Sequence, residues 1–392
     1  MSKIIYKRAD ATIRESDYTL LPEIDFIQKQ NFSSMEKDKL FLYLLACFDT
    51  GCMPILYDEN IRSIKPRIER LDLDTIPMET AVLFFTSGTT GEPTGALKTS
   101  ENILAELVVL QALFAPLGIE RVVVTVPLIH IYGFLAGVML PKVLGVDVVL
   151  KEEFLPHELI ALAEDKKTLC ITNPVFLKVL NKLKIEEQCS HITFLSSTGK
   201  LDVTIAQSLQ EKIGCSIYQL FGSTETGGIA YKINNDTLWR PLKGVRIEKV
   251  GQNLSVQSPF ISEYILEDTL KKVEQPFVTT DIINLEEGGF TLLGRESEII
   301  KISGKRISLL EIEMLLEKHR EISEVLVKLS YGVVSHKDEQ LDILIQSHLE
   351  LSMLRQIVKT TLQENYKKIN IRTTVHRVDD IPKNHMGKKL RK

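Results

Sequence analysis

Ala81-Val-Leu-Phe-Phe85 is a short apolar run that stops at Thr86-Ser-Gly-Thr-Thr-Gly-Glu-Pro-Thr-Gly95, and beyond it Ile103, Leu107, Leu110 and Phe114 recur at helical spacing. The order is strand, polar glycine loop, helix. Consecutive hydroxyls and glycines after a strand set side-chain and backbone donors around a chain of phosphates, so the loop suits a triphosphate. It is not the P-loop of the kinase-like NTPases, because no Gly-Lys-Ser/Thr closes it. Standing alone, such a loop also reads as a solvated surface turn.

Downstream, short β-rich runs at Arg121–Val126, Val146–Leu150, Thr168–Thr172, Ile192–Leu195 and Ser216–Leu220 alternate with helical stretches such as Pro156–Glu164 and Val175–Lys184. Alternation of this kind predicts a mostly parallel sheet covered by helices. After Tyr231 the character changes: two β-rich segments, 244–250 and 254–258, flank the turn residues Gly251, Gln252 and Asn253 as an antiparallel pair would. Past Gly294-Arg295, Ser308-Leu-Leu-Glu311 has capping-box spacing ahead of a helix carrying Ile312, Leu315 and Leu316. Strand-like Val325–Leu329 and Leu341–Gln346 and a helix near Leu351–Asn365 complete an α+β unit. The expected architecture is α/β, with a large N-terminal domain over 1–295 whose β-rich part covers about 232–293, and a small C-terminal domain over 296–392.

Composition narrows the function. At 392 residues the chain exceeds a single core, and 44% hydrophobic with 26% charged residues is ordinary globular usage, which excludes a disordered or low-complexity chain. A formal net charge of −4 argues against nucleic acid or an anionic membrane as main partner, so any anion is held locally. The five cysteines are odd in number, widely spaced and mostly in apolar stretches, which fits a reduced, cytoplasmic setting. The start lacks an apolar signal core, and the longest apolar stretches are broken by Glu106 and by Lys142 and Asp147, so neither an export signal nor a transmembrane segment is expected.

Five motifs in order resemble the adenylate-forming ligases, the family of acyl- and aryl-CoA synthetases, luciferases and nonribosomal adenylation domains. They are the loop Thr86–Gly95, Phe221-Gly-Ser-Thr-Glu225, Thr280-Asp281, the junction from Gly294-Arg295 through Glu311-Ile-Glu313, and Pro382-Lys-Asn-His-Met-Gly-Lys388. The stretch from Phe221 to Ile229, with Trp239-Arg-Pro-Leu-Lys-Gly-Val245, looks most like the short ligases of aryl-polyene and related clusters, which charge carrier proteins. The resemblance implies a mobile small domain and a reduced N-terminal subdomain over about 1–80. It implies ATP and Mg²⁺ as cofactors, a small organic acid as substrate, and a thiol acceptor on coenzyme A or on the phosphopantetheine of an acyl carrier protein.

The chemistry asks for the same parts. When a carboxylate attacks the α-phosphate of ATP two anions meet, so catalysis is positioning plus fixed positive charge. Lys388 is the candidate for that charge, an ammonium on a flexible stem. The resemblance implies Mg²⁺ on Glu225 and Thr224, since a hard cation facing phosphates takes one or two carboxylates and keeps several waters. It implies nucleotide contacts from Thr86, Ser87, Gly88, Thr89, Thr90, Gly91, Gly199, Phe221, Gly222, Ser223, Asp281 and Arg295, with Asp281 on the ribose and the Phe221 ring on adenine. His130 would stand at the mouth of the acyl pocket, and Ser196-Ser-Thr-Gly199 with Gly222, Gly227 and Gly228 would form its wall. Lys301, Gly304 and Arg306 would line the thiol channel, and Ser297 would occupy the hinge position.

Two departures matter. Thr94 stands where most of the family has lysine, and Lys98 is the candidate to replace the missing charge; if it does not, a charge-assisted contact on the order of 1.5–3 kcal/mol is lost. Phe221 replaces the usual tyrosine, keeping the ring and dropping a hydroxyl. The expected activity is ATP-dependent formation of an acyl-adenylate, then transfer to the thiol of a carrier protein. Its rivals are an ordinary CoA synthetase and a nucleotide-binding module without turnover.

Overall fold

The computed structural model describes the chain except residues 1, 8–12, 19–31, 33–34, 60, 62–63, 87–92, 152, 164–165, 303–304, 332–338, 367–371, 384–388 and 390–392. The chain divides into two compact units, one of 1–247 with 255–277 and one of 248–254 with 278–392. This division falls earlier than the expected boundary at 295/296: the paired residues Asp281–Glu286 and Gly289–Arg295 both lie in the second unit.

The first unit is built on a nine-stranded sheet ordered Arg240–Pro241, Gly227–Ile233, Ser216–Ser223, Ile192–Ser196, Thr168–Thr172, Arg121–Val124, Asp147–Lys151, Lys3–Lys7 and Ile13–Asp17. From Ser216–Ser223 to Lys3–Lys7 neighbouring strands run parallel, and the two edges are antiparallel. The central strands bury both faces, and so read as continuous apolar runs. Val122, Val124, Leu169, Ile171 and Leu195 point into one core while Val123, Cys170, Phe194 and Ile217 point into the other. Helices Pro174–Lys182 and Val203–Ile213 cover the second core through Leu177, Leu180, Ala206 and Leu209.

The apolar run at 81–85 lies in a separate five-stranded sheet, ordered Leu270–Lys272, Tyr264–Leu266, Thr94–Thr99, Thr80–Thr86 and Ile55–Leu56. The expected strand–loop–helix order is corrected here, because the residues after the loop first form the antiparallel strand Thr94–Thr99. The helix Ser100–Phe114 then starts from a reciprocal capping box, Thr99 Oγ1 accepting from Asn102 N and Asn102 Oδ1 from Thr99 N. The stretch Ser100–Leu117 is long and apolar enough to cross a membrane by length and composition alone, yet the helix buries Asn102 and Glu106 along with Ile103, Leu107, Leu110 and Phe114.

The second unit contains the hairpin Ile299–Ile302/Lys305–Ser308, helices Leu309–Glu317 and Leu351–Asn365, and a sheet ordered Ile322–Tyr331, Glu339–Ser347 and Arg372–Val378. Ser308 caps the first helix by accepting from Glu311 N at 3.2 Å, at the expected position. All five cysteines are free thiols, four of them buried.

Candidate functional site

In the first unit, Thr224 and Glu225 sit on the turn between the antiparallel strands Ser216–Ser223 and Gly227–Ile233. The turn is tied internally by Thr226, which is fully buried: its hydroxyl accepts from Ser223 N at 3.0 Å and donates to Gly227 O at 2.9 Å. Ser223 Oγ lies 3.0 Å from Thr226 Oγ1 and accepts from Thr226 N at 3.2 Å. Thr224 and Glu225 are half-buried, and among the described residues no hydrogen bond or ion pair engages the Thr224 hydroxyl or the Glu225 carboxylate. A rigid turn that leaves one carboxylate and one hydroxyl uncommitted fits a hard cation that keeps most of its waters. Among the described residues no cluster of three or more metal-ligating side chains exists, so an all-protein cage is not what the donors offer.

Glu106, which sequence reasoning took only as a break in an apolar stretch, lies beneath this turn. It is 3% exposed and its Oε1 accepts from Gly228 N at 2.8 Å. A Cβ on Gly227, whose φ is +68°, would stand 2.4 Å from Glu106 Oε2, and one on Gly228 would stand 2.9 Å from Oε1. The expected role of these two glycines, opening an acyl pocket, is therefore corrected: the space a side chain would take is filled by the Glu106 carboxylate together with Phe260 at Gly227 and Leu242 at Gly228.

Lys98 is corrected as well. It is 1% exposed, with Nζ donating to Glu225 O at 3.1 Å and to Phe260 O at 2.5 Å. An ammonium enclosed on two backbone carbonyls does not stand in for a loop cation facing phosphate. Burial pushes the Lys98 ammonium down, opposed by the charges of Glu106 and Glu225, and pushes the Glu106 carboxyl up, opposed by Lys98 and by the Gly228 N–H.

Phe221 is half-buried and its ring centroid lies 5.4 Å from that of Trp239, tilted at 47°. Trp239 in turn carries Lys232, whose Nζ stands 4.8 Å from the ring centroid. Lys232 is 3% exposed, and burial pushes its ammonium down to about 8. Neither residue was singled out from the sequence as functional. Register places Thr172, Ser196, Gln219 and Lys232 in one row across four strands, all buried. Ser196 Oγ, Gln219 Nε2 and Thr198 Oγ1 are buried without a hydrogen-bond partner among the described residues, and Thr198 has φ +75°. Gly199 and Gly222 are exposed beside this row. His130 is half-buried, and its carbonyl accepts from Phe134 N at 2.8 Å at the head of the π-helix Gly133–Met139. Thr86 ends its strand opposite Thr94; Ser87, Gly88, Thr89, Thr90 and Gly91 lie outside the described residues.

In the second unit, Asp281 and Arg295 are direct cross-strand partners, with Arg295 Nε donating to Asp281 Oδ1 at 3.2 Å. Asp281 is 7% exposed and its N–H donates to Thr279 Oγ1 at 3.1 Å. Burial pushes its carboxyl up, against the opposing pull of Arg295 and Thr279. Lys301 and Arg306 face each other in the hairpin register; their side chains and that of Ser297, together with Gly304 and Lys388, lie outside the described residues. Lys389 is clasped by Glu313 at 3.3 Å, Glu317 at 2.7 Å and the Val325 carbonyl at 2.5 Å.

Comparison with known proteins sets this geometry in context. The family model described as AMP-binding enzyme matches residues 28–275. The medium-chain fatty-acid–CoA ligase of Escherichia coli is 26% identical over 350 residues, covering 79% of this chain and 60% of that protein. The 2-succinylbenzoate–CoA ligase of Bacillus pumilus is 26% identical over 396 residues, covering 91% of this chain and 74% of that protein. The chain thus spans only about three fifths of the first of these relatives. Among solved structures, the o-succinylbenzoate CoA synthetase of Bacillus subtilis, in complex with ATP and magnesium ion, superposes with a TM-score of 0.72 at 21% identity, covering 91% of this chain and 86% of that one.

Proposed function

Because the chain belongs to the AMP-binding enzyme family, we propose that it is an AMP-forming acid–thiol ligase. In the first half-reaction a carboxylate oxygen of an organic acid, aryl or acyl, attacks the α-phosphorus of ATP. A P–O bond forms, the bond to the β-phosphate oxygen breaks, and pyrophosphate leaves with the electron pair. In the second, a thiolate attacks the acyl carbon of the adenylate and AMP leaves. The observation that carries this reading is the Ser223–Gly227 turn, rigid through Thr226 and bearing a carboxylate with no hydrogen bond or ion pair among the described residues. Glu225 and Thr224 would hold Mg²⁺, which supplies positive charge against the phosphate oxygens. Phe221 offers a ring to the adenine, Asp281 and Arg295 offer an acceptor and a donor fork to the ribose and phosphate, and Lys388 offers the cation for the attack.

Two observations bear on the acceptor, and each favours a different one. The relatives named above are CoA ligases, which favours free coenzyme A. The sequence resemblance to short cluster-type ligases favours phosphopantetheine on an acyl carrier protein. Both present the same thiol, so one assay with two arms separates them. Pyrophosphate exchange into ATP is measured across aryl and fatty acids, with Lys388→Ala alongside, and thioester formation is then followed with free coenzyme A and with a phosphopantetheinylated carrier. Exchange with one acid, lost in the variant, is the expected result; ATP binding without exchange for any acid would instead favour a nucleotide-binding module.

A further inference from the structure

Lys98 and Glu106 are a buried cation and a buried carboxylate for which the proposed chemistry has no direct use. Taking either charge out of water is costly unless its hydrogen-bonding capacity is met, so what they bind is informative. Both bind the main chain of the turn that carries Thr224 and Glu225. Lys98 Nζ donates to the carbonyl of Glu225 itself, which also accepts from Ser262 N at 2.8 Å. Glu106 Oε1 accepts from Gly228 N three residues on, and its other oxygen closes over Gly227. The second carbonyl on Lys98 belongs to Phe260, and Asn102 Nδ2 donates to Pro259 O at 2.8 Å. One short segment, from Lys98 to Glu106, thus grips both ends of the turn and the chain at 259–260 behind it. That segment begins four residues after the expected phosphate-binding loop ends its polar run at Thr94.

We propose that Lys98 and Glu106 are positioning residues that fix the backbone of Ser223–Gly228 so that the Glu225 carboxylate is held ready for Mg²⁺·ATP. The inference rests on the proposed function, because it gives Glu225 its role through that reading. Lys98 acts from below on the peptide of Glu225, and Glu106 acts on the strand just beyond it. A carboxylate on a pinned turn loses little freedom when a cation arrives, whereas one on a loosened turn must be ordered at that moment.

The test compares nucleotide binding with and without Mg²⁺ by calorimetry for wild type, Lys98→Met and the double variant Lys98→Met/Glu106→Gln. The double variant guards against misfolding, since it removes both buried charges while keeping an acceptor for Gly228 N–H. The expected result is that the Mg²⁺ concentration giving half of the affinity gain rises about tenfold, the equivalent of one charge-assisted hydrogen bond. ATP affinity in excess EDTA should stay within about twofold of wild type, a split that general loosening of the fold would not produce. If the folded double variant keeps the wild-type Mg²⁺ dependence, or if both affinities fall together, the positioning role is overturned. A wild-type protein whose ATP affinity ignores Mg²⁺ would overturn the functional reading, and this inference with it.

Discussion

Two acidic residues are held in opposite ways in the two units. Among the described residues Glu225 leaves its carboxylate without a hydrogen bond or ion pair, while its backbone is fixed from below by Lys98 and Ser262 N and its turn is locked by Thr226. Asp281 is buried and its carboxylate is already committed to Arg295, the residue directly across the strand pair. The first arrangement places the stabilising contacts on the main chain and frees the side chain for a ligand. The second places them on the side chain itself, so a ligand that takes Asp281 must share or replace Arg295. Function proposed for Glu225 therefore competes with no hydrogen bond or ion pair among the described residues, only with the attraction of its charge for Lys98, whereas function proposed for Asp281 competes with an internal ion pair.

The sharpest way to break this contrast is Glu225→Gln. Removing a group that faces developing charge should lower pyrophosphate exchange by about 100-fold or more, while the melting temperature falls only slightly, because the one interaction lost among the described residues is the attraction of the Glu225 charge for Lys98. A large drop in melting temperature would show that Glu225 is structural and would end the comparison. Asp281→Asn should act differently. Nucleotide affinity is expected to fall by about 10- to 100-fold, the range for a hydrogen bond to a charged group. Stability should respond to pH in the opposite sense to an ordinary ion-paired aspartate. Its carboxyl is pushed up by burial, so the folded state binds the proton more tightly than the unfolded state. Its contribution is then present at low pH and is lost as pH rises through the folded value. Asp281→Asn should remove that acid-range slope in a series of thermal melts; an unchanged slope would assign it to another group.

How much of this could be read in advance depends on where the contact partners lie along the chain. The parallel core was legible because strands buried on both faces write continuous apolar runs, and Thr168–Thr172 falls where the pattern places it. The strand Thr94–Thr99 was not, because Thr-Gly-Ala-Leu-Lys-Thr carries a lysine at a position that turns out to be enclosed. The turn at 223–227 could be picked out only through its resemblance to a family motif, since nothing local says that a buried threonine ties it. Glu106 and Lys98 act on backbone atoms 122 and 127 residues away, a pairing no local window contains. The available signal was their burial cost: a lone Glu inside Ile103-Leu-Ala-Glu-Leu-Val-Val-Leu110 needs a partner, and the sequence does not say which. Trp239 entered only as part of a resemblance and Lys232 not at all, because the stacking of Trp239 on Phe221 and of Lys232 on Trp239 joins separate segments of the chain.

Lys232 carries the smallest of the expected effects and the clearest sign. Unlike Arg295, it is a buried cation with no ion pair among the described residues, held against the Trp239 face. Burial lowers its value from 10.5 to about 8, so across that interval the unfolded chain binds more protons than the folded one. Stability then rises with pH from about 8 to 10.5, the window in which the folded lysine sheds its charge first. Lys232→Met keeps the stem against Trp239 and removes the charge. It should be more stable than wild type at pH 7 by about 1–2 kcal/mol, because relief from desolvation outweighs a cation–π contact of about 0.5–1 kcal/mol. The gap should close as pH approaches 10, which differential scanning calorimetry at a series of pH values resolves. A gap that stays constant over that series would mean that Lys232 is not the titrating group, and a variant less stable than wild type at pH 7 would mean that the cation over Trp239 stabilises the first unit as Arg295 stabilises the second.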